Sequence, residues 1–169
     1  MKQNIVKSAM HGGLILGGLF SLNFILSVTK ITALALLTYA IAAYIVVLMY
    51  KLSVRFRDNE CEGSISYGKA LLYILLTFFY AALISTVVKF VYFQFINTAF
   101  LENMFQETMK TMQMMKFPMN DASVSQVQSM FKPASFSMVY VITNLIMGLV
   151  VGVIMAAFVK KDKDLFSQQ

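Results

Sequence analysis

Four long stretches of this chain carry almost no charge, and they constrain its fold more than any other feature. Residues 12–29, 31–50 and 136–159 contain no lysine, arginine, aspartate or glutamate. Residues 70–88 are likewise uncharged, and the apolar pattern continues past Lys89 through Phe90, Val91, Phe93, Phe95 and Ile96. A bilayer core about 30 Å thick is crossed by about 20 apolar residues in a helix rising about 1.5 Å per residue. The runs do not alternate as the strands of a membrane barrel would. Composition agrees: 59% of residues are hydrophobic and 13% charged, against about 45–50% and about 25% in a soluble domain. The expected fold is therefore all-α: a single polytopic membrane domain over residues 1–169, built as a four-transmembrane-helix bundle with spans at about 12–29, 31–50, 70–96 and 136–159.

The positions of lysine and arginine near the span ends set the expected orientation. Lys2, Lys7, Lys51, Arg55, Arg57, Lys69, Lys160, Lys161 and Lys163 fall on one side, and Lys30, Lys110, Lys116 and Lys132 on the other. Both termini are thus expected in the cytoplasm, with the chain in a bacterial inner membrane. The first run also follows two lysines, as a cleavable signal would. It is longer than the usual 7–15 apolar residues and has no small-x-small cleavage pattern before Lys30, so it is taken as a permanent span. The single cysteine, Cys61, excludes an internal disulfide framework. The basic balance, pI 9.4, is explained by anionic lipid beside the spans and calls for no nucleic acid.

Residues 97–135 form the long extracytoplasmic connection. Leu101, Phe105, Met109, Met112 and Met115 recur at three- and four-residue intervals, with Glu102, Gln106, Glu107, Lys110 and Gln113 between them. That period predicts an amphipathic helix continuing from the third span. Pro118 ends it, Asn120 or Asp121 caps a second short helix, and Pro133 punctuates entry to the last span. The cytoplasmic connection, residues 51–69, is short and charged, too small to fold alone.

The stretch Glu62-Gly63-Ser64-Ile65-Ser66-Tyr67-Gly68-Lys69-Ala70, together with the glycine-rich Gly12-Gly13-Leu14-Ile15-Leu16-Gly17-Gly18, resembles an uncharacterised four-span inner-membrane family of Bacteroidetes, described only as a domain of unknown function. The resemblance covers nearly the whole chain. It implies a four-span topology and carries over no functional residues.

Several constellations hint at chemistry. Gly63-x-x-x-x-Gly68-Lys69 matches the start of a phosphate-binding loop, but Ala70 stands where a magnesium-binding Ser or Thr belongs, and the context is a charged loop before a membrane helix. Ser85 and Lys89, four apart, could form a serine–lysine pair; a lysine that deep in a span is expected rather to snorkel towards the interface beside Tyr92. Met104, Met109, Met112, Met114, Met115 and Met119 crowd the outer segment. Thioethers can take Cu(I), yet methionine is equally a mouldable apolar contact. His11 and Cys61 lie on the opposite side and complete no outer metal site. No catalytic, cofactor-binding or metal-binding residues are assigned.

The residues singled out are structural. Gly13, Gly17 and Ser21 in the first span, and Gly148, Gly152 and Ala156 in the fourth, form small-x-x-x-small ladders that let helices approach closely. The two ladders are expected to face one another, within one chain or across a homodimer, with Asn23 and Asn144 bridging farther along. No acidic residue lies within the four runs, which weakens proton- or cation-coupled transport. The expectation is a non-enzymatic membrane subunit, without a cofactor, whose partners are the lipid bilayer and another protein or a second copy of itself; the alternative is a transport or channel-type component concerned with a soft metal.

Overall fold

The computed structural model describes residues 4–29, 31–118 and 120–162, the side chains of 32, 33 and 35 aside. The chain is all-α, with helices α1 (Ile5–Val28), α2 (Thr32–Glu60), α3 (Tyr67–Val91), α4 (Ala99–Met114), α5 (Asp121–Met130) and α6 (Pro133–Val159). A π-helical turn, Tyr92–Ile96, prolongs α3. Four elements are long and apolar enough to cross a membrane: Ile5–Val28, Leu36–Glu60, Tyr67–Ile96 and Pro133–Val159. The protein is a multi-pass membrane protein. The expectations placed on Lys2, Lys30, Met119 and Lys163 lie outside the described residues.

The helix ends follow local chemistry. Asn4 begins α1, its side-chain oxygen accepting from Lys7 N at 3.3 Å. Of the two candidate caps for the short helix, Asn120 is the one used: it accepts from Ser123 N at 2.7 Å, while Ser123 Oγ accepts from Asn120 N at 3.0 Å. This reciprocal pair satisfies two backbone donors that the first turn of a helix leaves open. Pro133 opens α6, where its missing N–H costs nothing and its fixed φ suits the first turn.

Two boundaries differ from the sequence reading. Helix α2 does not stop at Tyr50 but continues through Lys51, Arg55, Arg57 and Asp58 to Glu60. Charge ends an apolar run without ending a helix, because lysine, arginine and glutamate are good helix formers. The amphipathic helix, for its part, does not continue smoothly from the third span. The π-helical turn, closed by Asn97 N donating to Tyr92 O at 2.9 Å, and the residues after it separate α3 from α4.

The chain divides into two compact units, one of residues 1–85 and 143–169 and the other of residues 86–142. In the first unit, glycine decides how α1 and α6 pack. A Cβ added at Gly13 would collide with Tyr80 Cβ, and one at Gly17 would lie 2.8 Å from Ile84 Cβ and 3.1 Å from Ala81 O. At Gly148 it would meet Phe78 Cγ at 2.7 Å, and at Gly152 it would meet Leu71 and Ile74 at 3.1 and 3.2 Å. Every one of these neighbours belongs to α3. The ladders expected to face each other therefore face a common third helix, α1 against Tyr80, Ala81 and Ile84 and α6 against Leu71, Ile74 and Phe78. A small-residue stripe records that a helix is approached closely but not by which neighbour. Ser21 and Ala156 are buried, with Ser21 Oγ donating to Gly17 O at 2.8 Å. Asn23 Nδ2 donates to Thr38 O of α2 at 2.8 Å, so its bridge goes to α2 rather than to Asn144.

The second unit is packed by rings. Phe93 lies 5.5 Å from Phe100 and 5.4 Å from Phe136, and Phe131 stacks on Phe136 at 5.8 Å and reaches Phe105 at 5.9 Å. Leu101 and Phe105 are buried, as the amphipathic period predicts. The same stripe fails at its C-terminal end, where Met115 is exposed.

Candidate functional site

Among the described residues, several places gather polar or reactive groups. The first joins the loop after α2 to the end of α6. Glu62 and Gly63 both have positive φ, 55° and 77°, which turns the chain sharply out of α2 and favours glycine at the second position. The chain then extends for one residue: Ile65 N donates to Lys161 O at 2.9 Å, and Lys161 N donates back to Ile65 O at 3.1 Å. Arg57 Nη1 donates to Val159 O at 3.3 Å, one of the carbonyls that a helix end leaves open. Its Nε is held by Asp58 at 2.8 Å. Tyr67 Oη donates to Val153 O at 3.1 Å. The segment Gly63–Lys69 thus clamps the end of α6. Cys61 is buried here, and burial pushes its thiol above the usual range, leaving little thiolate to react.

The second place is a cleft of about 520 Å³ where the N-terminal end of α1 meets the C-terminal end of α2 over a floor from α3. Lys7 and His11 reach it from α1, Arg55 and Glu60 from α2 and Tyr73 from α3. Tyr73 is 2% exposed and stacks on Phe56 with ring centroids 4.2 Å apart. Gly12 keeps the floor open, since a Cβ there would lie 3.3 Å from Tyr73 Oη. The basic residues were visible in the sequence, and their convergence was not. The run of α2 beyond Tyr50 creates it, carrying Arg55 and Glu60 on helix to the level of Lys7 and His11.

The third place is in the second unit. Lys89 is 5% exposed, with its ammonium 4.2 Å from the centre of the Tyr140 ring. The expected snorkel to the interface is thus replaced by a cation–π contact, which gains strength where water is excluded. Ser85, the other half of the suspected pair, belongs to the first unit and donates its hydroxyl to Ala82 O at 3.1 Å. Among the methionines, Met104, Met109 and Met112 are half-buried, whereas Met114 and Met115 are 76% and 75% exposed. They end α4 at a turn where Lys116 takes a positive φ of 52°, followed by exposed Phe117. No group of three or more histidine, cysteine, aspartate or glutamate residues placed to hold a metal occurs among the described residues.

A family model described as "Protein of unknown function (DUF4199)" matches residues 12–161. The chain belongs to this family. The match to the DUF4199 model takes in the last three spans and the first from Gly12 onward, and ends at Lys161, the residue whose backbone pairs with Ile65. The clamp between the Gly63–Lys69 segment and the end of α6 therefore lies wholly within the part of the chain that matches. No curated protein and no solved structure matches it.

Proposed function

We propose that this DUF4199 protein is a non-enzymatic membrane subunit that binds another protein through its α4–α5 segment. It sits in a bacterial inner membrane with both termini cytoplasmic, as the lysine and arginine distribution favours. The stretch Glu62–Ala70 serves as the signature of its Bacteroidetes relatives. The observation carrying this reading is the exposed trio Met114, Met115 and Phe117 at the turn after α4. The apolar stripe of α4 is buried inside its own unit at Leu101 and Phe105, whereas these three side chains are left largely exposed. Methionine and phenylalanine side by side suit a surface that moulds to a partner, because the thioether chain is flexible and polarisable and the ring supplies area.

Crosslinking in native membranes followed by mass spectrometry tests the reading. A residue between Lys110 and Lys132 is expected to join a single dominant membrane protein, and Met115→Ser with Phe117→Ser is expected to abolish that product. Crosslinks scattered over many proteins, unchanged by the substitutions, would refute it. A second reading, soft-metal handling, is favoured by the fact that Met104, Met109, Met112 and Met114 share one helix of 16 residues. It requires Cu(I) affinity that exceeds that of a variant with these methionines replaced by leucine.

A further inference from the structure

The cleft between α1 and α2 has a use that does not depend on the partner-binding reading. We propose that it is a binding site for a phosphoryl anion, either the headgroup of an anionic phospholipid or a free phosphate compound. Three cationic or protonatable side chains, Lys7, His11 and Arg55, converge on it, opposed by one carboxylate, Glu60. Among the described residues none of those three forms an ion pair; the salt bridges present are Arg57 with Asp58 and Lys160 with Asp162. Charges so placed and not neutralised by the protein leave a positive field for an incoming anion.

Shape supports the same conclusion. The floor is buried, made of Gly12, Phe56 and Tyr73, and Ser8, whose side chain hydrogen-bonds Tyr73, brings a hydroxyl to its edge. A volume of about 520 Å³ exceeds what a bare phosphate needs and accommodates a phosphodiester with its glycerol. Arg55 offers planar, two-pronged donation to phosphate oxygens, and Lys7 acts as a point charge. A purely solvated charged face would lack the enclosed floor, and a purely hydrophobic groove would lack the cations.

The test uses the full chain. In one arm it is purified with mixed phosphatidylglycerol and phosphatidylcholine, and the retained lipid is measured by native mass spectrometry. In the other arm it stands in phosphatidylcholine nanodiscs, and the rise in thermal stability with inorganic phosphate is compared with chloride at equal ionic strength. In whichever arm carries binding, Lys7→Gln with Arg55→Gln should weaken it about tenfold, since two charge-assisted contacts are lost. Ser8→Leu, which fills the cleft at constant charge, should also weaken it, and Glu60→Gln should strengthen it. Lys69→Gln with Lys160→Gln removes as much charge outside the cleft and should change little. Binding in the lipid arm alone identifies a headgroup site, and binding in the phosphate arm identifies a site open to soluble anions. The proposal is overturned if neither arm distinguishes the Lys7/Arg55 variant from the parent, or if the Lys69/Lys160 variant loses as much. Circular dichroism of each variant confirms that the helices remain, so a loss of binding is read as loss of the site.

Discussion

The two units of this chain solve the problem of packing helices in opposite ways. In the first, Gly13, Gly17, Gly148 and Gly152 remove side chains so that backbones close onto α3. In the second, Phe93, Phe100, Phe131 and Phe136 fill the space with rings. The difference follows from what each helix pair must achieve. Between helices in lipid no hydrophobic gain rewards association, because lipid tails are as apolar as leucine, so close van der Waals contact has to supply it. In the second unit Phe100 and Phe131 lie outside the apolar runs and Phe93 and Phe136 at the ends of two of them, and stacked and edge-on ring pairs supply contact of their own there. A chain that used only one of these devices would leave either its spans or its α4–α5 segment loosely held.

The comparison can be broken first at Phe93. It touches Phe100, Phe136 and Tyr92 and is fully buried, so Phe93→Ala should cost about 3–5 kcal/mol of local stability. Hydrogen exchange is expected to accelerate in α4 and α5 and to remain slow in α1. Equal acceleration in both would show that the ring cluster does not belong to one unit. Next, Gly148→Leu drives a side chain into Phe78 and should cost about 1–3 kcal/mol, read as earlier thermal unfolding in detergent. Unchanged unfolding would mean that α6 does not lie on α3 at this point.

Smaller effects sharpen the distinction between glycines that pack and glycines that do not. A Cβ at Gly18 meets nothing within 4 Å, so Gly18→Ala is expected to stabilise by about 0.5–1 kcal/mol through helix propensity alone. If it destabilised, the stripe in α1 would have to extend to a face that the structure leaves open. Cys61 gives the mildest readout. Because burial raises its thiol and the side chain is covered, a maleimide should label it more slowly than a peptide thiol at pH 8, with the rate still climbing above the pH at which the peptide levels off. Folded and peptide rates that coincide would place Cys61 in water.

How much of this was legible in the sequence depends on the kind of signal. Uncharged runs of about twenty residues reveal spans because length and solvent leave few alternatives. Asn120, Pro118 and Pro133 reveal helix ends because capping is local chemistry. Both signals were readable: four apolar helices and a short helix capped by Asn120 are present, though α1 starts earlier than the uncharged run, α2 ends later and α4 ends at Met114, short of Pro118. The partner of a glycine ladder is not local. Gly17 and Gly152 carry the same pattern whichever helix they face, and α3, which both ladders use, has small residues at the same spacing, Thr77, Ala81 and Ser85, of which Thr77 and Ala81 lie against Gly13. The cleft was hidden for a different reason. Arg55 and Glu60 look like loop residues as long as the helix is taken to stop where hydropathy falls, and only the continued helix sets them opposite Lys7 and His11. Lys89 misled in the same way, since the ring that shelters it, Tyr140, is 51 positions away in the chain and belongs to another helix.

The central claim is that α3 is the shared packing partner of both glycine ladders, and paired cysteines in a Cys61→Ala background test it most directly. An added Cβ at Gly152 lies 3.8 Å from Ile74 Cβ, the spacing a disulfide needs. Oxidation of the chain carrying Gly152→Cys with Ile74→Cys should therefore give an intramolecular crosslink in near-quantitative yield, while Gly152→Cys with Gly17→Cys gives none. A crosslink between positions 17 and 152, with none between 74 and 152, would contradict the account.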